Sequence, residues 1–376
     1  MSERRRICFV LPSLNGGGAE RAAVQVLNRL DAARWQRSMF LFERTGPYLA
    51  DLDPSIELQS APSPSRGQRW QALRRFIHDS KPHVVVAFLS YATALTAVRA
   101  AHTGARVVFN QQTPVTAFLA DADFKWRAGW RRLAFTATTR LTYAAADLVI
   151  ATSRGVADDL AANFGVSPDA IQIVPNPVDL DVVRVHAQAP LPDGAGFPGP
   201  GPLIVAAGRL AHAKNYPLLI EAMRILRETC PARLCILGQG ELEPELRQQI
   251  ARNHLDDAIV LMGFQHNPWQ FMARAQVFAL SSHYEGFGNV LIEAMALGVP
   301  VVATASAGTR DIVNHGVDGV LVEPHTAQAM AAALRQLVDH ESVRVAMGRQ
   351  AMRSAERFAA PAVIARYDSV LRGLAA

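Results

Sequence analysis

The chain has 376 residues, of which 50% are hydrophobic and 19% charged, with a formal net charge of +5. That length exceeds what one core usually supports and the composition excludes a disordered chain, so two globular domains are expected. No apolar run reaches the ~20 residues that a membrane-spanning helix needs, and Cys8, Cys230 and Cys235 show neither a disulfide framework nor metal-site spacing.

The N-terminal Met1-Ser2-Glu3-Arg4-Arg5-Arg6 resembles the start of a secretion signal. The apolar run after it, Ile7 to Leu11, is too short for one and meets Pro12 and three glycines. It reads as the first strand of a cytoplasmic protein. A helix over 19–30 follows. Further strands are predicted at 38–42, 84–88, 106–109 and 148–151, and helices at 70–78, 92–102, 126–145 and 155–163. This alternation predicts a parallel sheet covered by helices, in a first domain over 1–184. Residues 1–184 carry 22 basic and 16 acidic side chains, the remainder 16 and 17. The first half therefore suits an anionic partner such as phosphate or a membrane surface.

Residues 185–202 are dense in Pro and Gly and read as a linker. The rhythm then restarts over 203–359. Strands are expected at 203–207, 233–237, 258–261, 277–280, 299–303 and 320–322, and helices at 218–228, 244–253, 327–339 and 343–358. The fold class is α/β, with two Rossmann-like domains facing each other across a cleft. Such domains bind ligands beyond the carboxyl ends of their strands.

Three motifs carry chemistry. Pro12-Ser13-Leu14-Asn15-Gly16-Gly17-Gly18 follows the first strand and lets backbone approach a ligand at a helix start. It is neither a dinucleotide fingerprint nor a P-loop. Gly208-Arg209-Leu210-Ala211-His212-Ala213-Lys214-Asn215 follows the first strand of the second domain. Its Lys214 is one of only three lysines, with Lys81 and Lys125. Arg209 and Lys214 could hold a diphosphate, the first by bidentate contacts and the second as a point charge. Glu285-Gly286-Phe287-Gly288-Asn289-Val290-Leu291-Ile292-Glu293 sets two carboxylates eight positions apart around a turn into a helix. A phosphate fits the helix start, and the carboxylates fit hydroxyls on either side of it. A nucleotide-sugar is such a ligand.

In this order the motifs resemble the retaining glycosyltransferases of family 4, with the GT-B fold and a Glu-x7-Glu signature at Glu285 and Glu293. The resemblance implies a transfer of a hexose or N-acetylhexosamine from a nucleotide-sugar, UDP favoured, to a glycan or lipid-linked acceptor in surface polysaccharide or glycoconjugate synthesis. By it, Arg209, Lys214 and Glu285 are catalytic, with Glu285 at the transferred sugar. Gly286, Phe287, Gly288, Asn289, Val290 and Leu291 line the sugar and phosphates, Glu293 meets the ribose, and Gly16, Gly17 and Gly18 close over the donor. Gly238, Met262 and Phe264 lie near the base. No cofactor or metal is expected, the two cations standing in its place. A final helix at about 360–376 is expected to pack on the first domain.

The chain departs from the pattern on the acceptor side. Many members of the family carry a His there, where this sequence has Asn110, Gln111 and Gln112. Asn and Gln can orient a hydroxyl but are poor bases. The segment 124–135 mixes Trp and Phe with four cations, which suits an anionic membrane face. A peripheral site on the inner face of the membrane is the corresponding location. No nucleic-acid partner is expected. Two alternatives stay open: a sugar-nucleotide epimerase of similar fold, and a non-catalytic nucleotide-sugar binding protein.

Overall fold

A computed structural model describes residues 4–15, 17–62, 65–120, 129–192, 196–197 and 199–375. The chain divides into two compact units. One runs through Leu119, resumes as far as Pro177 and takes in the chain from Pro361 onward; the other covers Val178–Ala360.

The first unit is built from β1 (Arg5–Leu11), α1 (Gly18–Arg29), β2 (Trp35–Leu41), β3 (Glu57–Ser60), α2 (Arg66–Ser80), β4 (Val84–Phe88), α3 (Tyr91–Ala101), β5 (Arg106–Gln111), α4 (Val115–Ala120), α5 (Gly129–Ala144), β6 (Leu148–Ala151), α6 (Arg154–Phe164) and β7 (Ile171–Ile173). Its seven strands are parallel, in the order β3-β2-β1-β4-β5-β6-β7. Every residue from Ile7 to Leu11 is fully buried, as expected of a strand covered on both faces. Cys8 and Val10 point into one layer with Val85 and Phe109, while Ile7, Phe9 and Leu11 point into the other with Val84 and Val86.

The second unit holds α7 (Leu180–Ala187), β8 (Leu203–Ala207), α8 (Tyr216–Arg227), β9 (Arg233–Leu237), α9 (Glu243–Arg252), β10 (Ile259–Leu261), α10 (Trp269–Met272), β11 (Val277–Leu280), α11 (Asn289–Ala296), β12 (Val301–Thr304), α12 (Ala307–Ile312), β13 (Gly319–Val322), α13 (Ala327–Asp339) and α14 (Glu341–Ala355). Its six parallel strands run β10-β9-β8-β11-β12-β13. The last helix, α15 (Ala360–Ala375), lies in the first unit apart from its first residue. Val363, Ile364, Tyr367 and Leu371 are buried there with Ile7 and Phe9, and Trp35 donates its indole N–H to Asp368 at 2.7 Å.

The expected boundary at 184/185 moves to 177/178. Leu180, Val183 and Ala187 of α7 are buried with Trp269 and Leu291, so this helix belongs to the second unit. Nor is 185–202 a free linker throughout. Phe197 meets Phe271 edge-on at 6.2 Å and lies under the Arg233 guanidinium at 5.7 Å. Two aromatic-scale contacts are enough to fasten a Pro/Gly-rich segment to a surface.

Both sheets contain a point where strand order reverses, between β1 and β4 in the first unit and between β8 and β11 in the second. Loops leaving the carboxyl ends there diverge and leave room for a ligand.

Candidate active site

The loops after β8 and β11 flank the reversal point of the second sheet, and they carry the expected charged residues. Gly208 follows β8 with φ +152° and Arg209 stands exposed beyond it. A short turn, His212–Lys214, then brings Lys214 back over the strand end. After β11, Ser281 and Ser282 lead into Glu285. The Lys214 ammonium pairs directly with Glu285 Oε1, which also accepts from Ser282 Oγ at 2.7 Å. The two loops are joined further by Ser281 Oγ donating to the Lys214 carbonyl at 2.9 Å and by the His283 N–H donating to the Ala213 carbonyl at 2.9 Å. The rings of His212 and His283 stack, with centroids 4.8 Å apart. Both Glu285 and Glu293 are buried, at 9% and 2% exposure.

Local sequence explains the shape. Gly288 sits at the N-cap of α11 with φ +102°, a conformation that admits glycine without strain. It allows the chain to turn sharply so that the first N–H groups of α11 face the strand ends. Phe287 and Leu291 put their side chains into the core, Phe287 edge-on to Phe358 at 5.4 Å. Gly286 and Phe287 are pressed by Gly308 of α12, where an added Cβ would come within 2.5 Å of them.

Glu293 lies one α11 turn further in, and its Oε2 accepts from the Trp269 indole at 2.8 Å. The His186 ring packs on Trp269 edge-on at 5.7 Å. Trp269, His186 and Ser282 escaped the sequence reading. Ser282, three positions before Glu285, was the one with a local signal.

The residues expected near a base divide. Gly238 has φ +145°, and a Cβ there would lie 2.0 Å from the Gly208 carbonyl oxygen. Its glycine is required for the loops after β8 and β9 to touch. The Met262 carbonyl accepts from Gln265 Nε2 at 2.7 Å, and Phe264 is 46% exposed with His266 edge-on at 5.0 Å.

In the first unit Gly16 lies outside the described residues. Gly17 is the N-cap of α1 in an extended conformation and Gly18 begins the helix, at the reversal point of that sheet. Asn110 and Gln111, expected on the acceptor side, are engaged by side chains of the first unit. Asn110 is fully buried and donates its amide to the Tyr367 hydroxyl, while Gln112 joins Asn110 to Asn176. Gln111 accepts from the Tyr143 hydroxyl and donates to the Thr113 carbonyl at 2.5 Å. These polar side chains at a strand end tie β5 to α15 and α5. Burial pushes the Tyr91, Tyr143 and Tyr367 phenols above their ordinary range, so all three stay neutral at physiological pH.

Of the basic, aromatic segment 124–135, residues 124–128 lie outside the described residues. Trp130 and Leu133 on α5 are 69% and 73% exposed. No helix among the described residues is long and apolar enough to cross a membrane. No group of three or more metal-ligating side chains occurs among them either.

Two family descriptions match successive parts of the chain: Glycosyltransferase Family 4 over residues 16–182, and Glycosyl transferases group 1 over 190–354. The chain is a glycosyltransferase family 4-like protein. Its fold agrees with that of Anabaena HepE solved with UDP and glucose, at a TM-score of 0.80 and 20% identity over 98% of this chain and 100% of that one. This family 4-like chain therefore has the GT-B architecture. It is 35% identical over 219 residues to the N-acetylgalactosamine-N,N'-diacetylbacillosaminyl-diphospho-undecaprenol 4-alpha-N-acetylgalactosaminyltransferase of Campylobacter jejuni, covering 58% of each chain. It is 34% identical over 231 residues to the D-inositol 3-phosphate glycosyltransferase of Xylanimonas cellulosilytica, covering 57% of this chain and 54% of that one. The matched part thus spans little more than half the length of these curated relatives.

Proposed function

We propose that the protein is a retaining glycosyltransferase that moves a hexose or N-acetylhexosamine from a UDP-sugar to a glycan or lipid-linked acceptor. The observation that carries this reading is the meeting of Lys214 and Glu285, 71 positions apart in the chain, on two loops at the reversal point of one sheet. A cation and a carboxylate held together there match a diphosphate joined to a sugar. The names of the relatives, with UDP and glucose in one and N-acetylgalactosamine transfer in another, support the donor class.

In this reading Arg209 and Lys214 bind the diphosphate and stabilise the charge that grows on it as it leaves. Glu285 accepts hydrogen bonds from hydroxyls of the transferred sugar, and Glu293 from the ribose. The bond from the anomeric carbon to the phosphate oxygen breaks, and the acceptor oxygen bonds to that carbon on the same face. The acceptor's proton passes to the departing phosphate, so no protein base is needed. The two cations supply the electrostatic role that a divalent metal has elsewhere, and metal-independent transfer is part of the proposal. The exposed Trp130 and Leu133, with Arg132, support contact with an anionic membrane carrying the acceptor.

A panel of UDP-, GDP- and ADP-sugars, each with and without EDTA, tests the proposal by thermal shift. UDP-sugars should raise Tm, by about 2.7 kcal/mol of added stability at a hundredfold excess over Kd, with or without chelator. No shift with any nucleotide-sugar, together with no turnover, sinks the reading.

A further inference from the structure

Among the described residues, Lys81, Leu89, His102, Asn215 and His254 are the non-glycines with positive φ. Lys81 and His102 cap α2 and α3, Asn215 closes the turn His212–Lys214, and His254 follows the end of α9. A left-handed residue is the ordinary way to end a helix. Leu89 is different. It follows strand β4 with φ +64°, and the N–H of Ser90 donates to the Phe88 carbonyl at 2.8 Å. A bond spanning three residues around a positive φ is the rare, strained hand of that turn. Glycine or asparagine would fit it with less strain. The leucine side chain is 52% exposed, so full burial in the core does not offset the strain. A backbone outlier of this kind is grounds for seeking a function for the side chain.

Its position narrows that function. β4 borders the reversal point of the first sheet, and Phe88 pairs with Asn110, so Leu89 leaves the carboxyl edge beside Gln111. The chain leaving the neighbouring strand β5 carries α4, whose Phe118 is 46% exposed. The next described helix, α5, exposes Trp130 and Leu133. Large apolar side chains thus stand in water along the chain leaving the edge where the fold binds ligands.

We propose that Leu89 is a specificity-determining residue that contacts the hydrocarbon portion of an amphipathic, lipid-linked acceptor. The word acceptor rests on the transferase reading; the contact itself does not require turnover. The probes are the dodecyl and methyl glycosides of one N-acetylhexosamine, titrated calorimetrically below the micelle concentration into the full chain. Wild type should bind the dodecyl form about tenfold more tightly than the methyl form, the gain expected from covering one leucine. L89G keeps the turn and removes the side chain, so that ratio should fall about threefold or more, with methyl-glycoside affinity unchanged. L89A should lose the same preference and be less stable than L89G, because it keeps a strained backbone. A wild-type ratio near one, an unchanged ratio in L89G, or an L89A more stable than L89G overturns the proposal. Absence of transfer with every donor would sink the transferase reading instead, and the ratio would still decide this one.

Discussion

Lys214 and Glu285 are each other's partners in this structure, and that fixes what their loss should do. A donor diphosphate has to draw Lys214 from the carboxylate or share it. Glu285→Ala removes the competitor, so UDP should bind as tightly as before or a few-fold more tightly, while turnover falls about a hundredfold or more. Lys214→Met acts the other way. It leaves a buried carboxylate with the Ser282 hydroxyl, costing about 1–3 kcal/mol of stability. It also removes a charged contact to phosphate, so UDP affinity should fall about tenfold or more. Calorimetric UDP binding on both variants checks this, and weaker binding by Glu285→Ala would contradict it. These residues were legible because their motifs are local, each following directly on an apolar strand. Trp269, the partner of Glu293, was not, since nothing within 24 residues of chain ties an indole to a carboxylate. The engagement of Asn110 was hidden for a related reason. Its partner Tyr367 lies 257 positions away, too far for a local pattern to announce the pair.

At the scale of elements, α15 is held to the first unit by an apolar face and by polar contacts that include the Trp35–Asp368 bond and the buried Asn110–Tyr367 pair. Tyr367→Phe keeps the ring and deprives the buried Asn110 amide of its acceptor. The expected cost is about 1–3 kcal/mol in urea unfolding. Asn110→Ala made on top of it should cost less than Asn110→Ala alone, because the bond to Tyr367 is already gone and only the one from Gln112 is left to break. Fully additive losses would show that the contact carries no energy. Central strands were legible because a run such as Val84–Phe88, buried on both faces, has no polar position to confuse it. The edges were not. β3 is four residues with alternating exposure and β7 only three, too short to show a period. α7 went unread because a Pro/Gly-rich stretch follows it and masked its few apolar positions.

For the whole molecule, the two units share a response to alkali. Burial pushes the Cys8 thiol in the first unit, and the Cys235 thiol in the second, up to about 12. A raised folded-state value means that the native chain holds the proton more tightly than the unfolded chain. The resulting stability is complete below about pH 9 and is lost as pH rises toward 12. Tm should therefore decline between pH 9 and 11, and more gently in a Cys8→Ala/Cys235→Ala protein, as differential scanning calorimetry can show. A slope identical in both proteins would exclude the thiols as its source. The division into two α/β units was legible from the restarted strand–helix rhythm, but not the crossing at 177/178, which depends on which core takes α7. The return of α15 has a consequence for synthesis. The first unit's sheet is specified early, yet the helix that covers Ile7 and Phe9 is translated only after all of Val178–Ala360. On the ribosome the later-encoded unit can finish before the earlier one. Nascent chains stalled near residue 355, with a spacer to clear the tunnel, should resist pulse proteolysis over 178–355 and be cut within 1–177; equal protection of both would mean that the early sheet closes without its last helix.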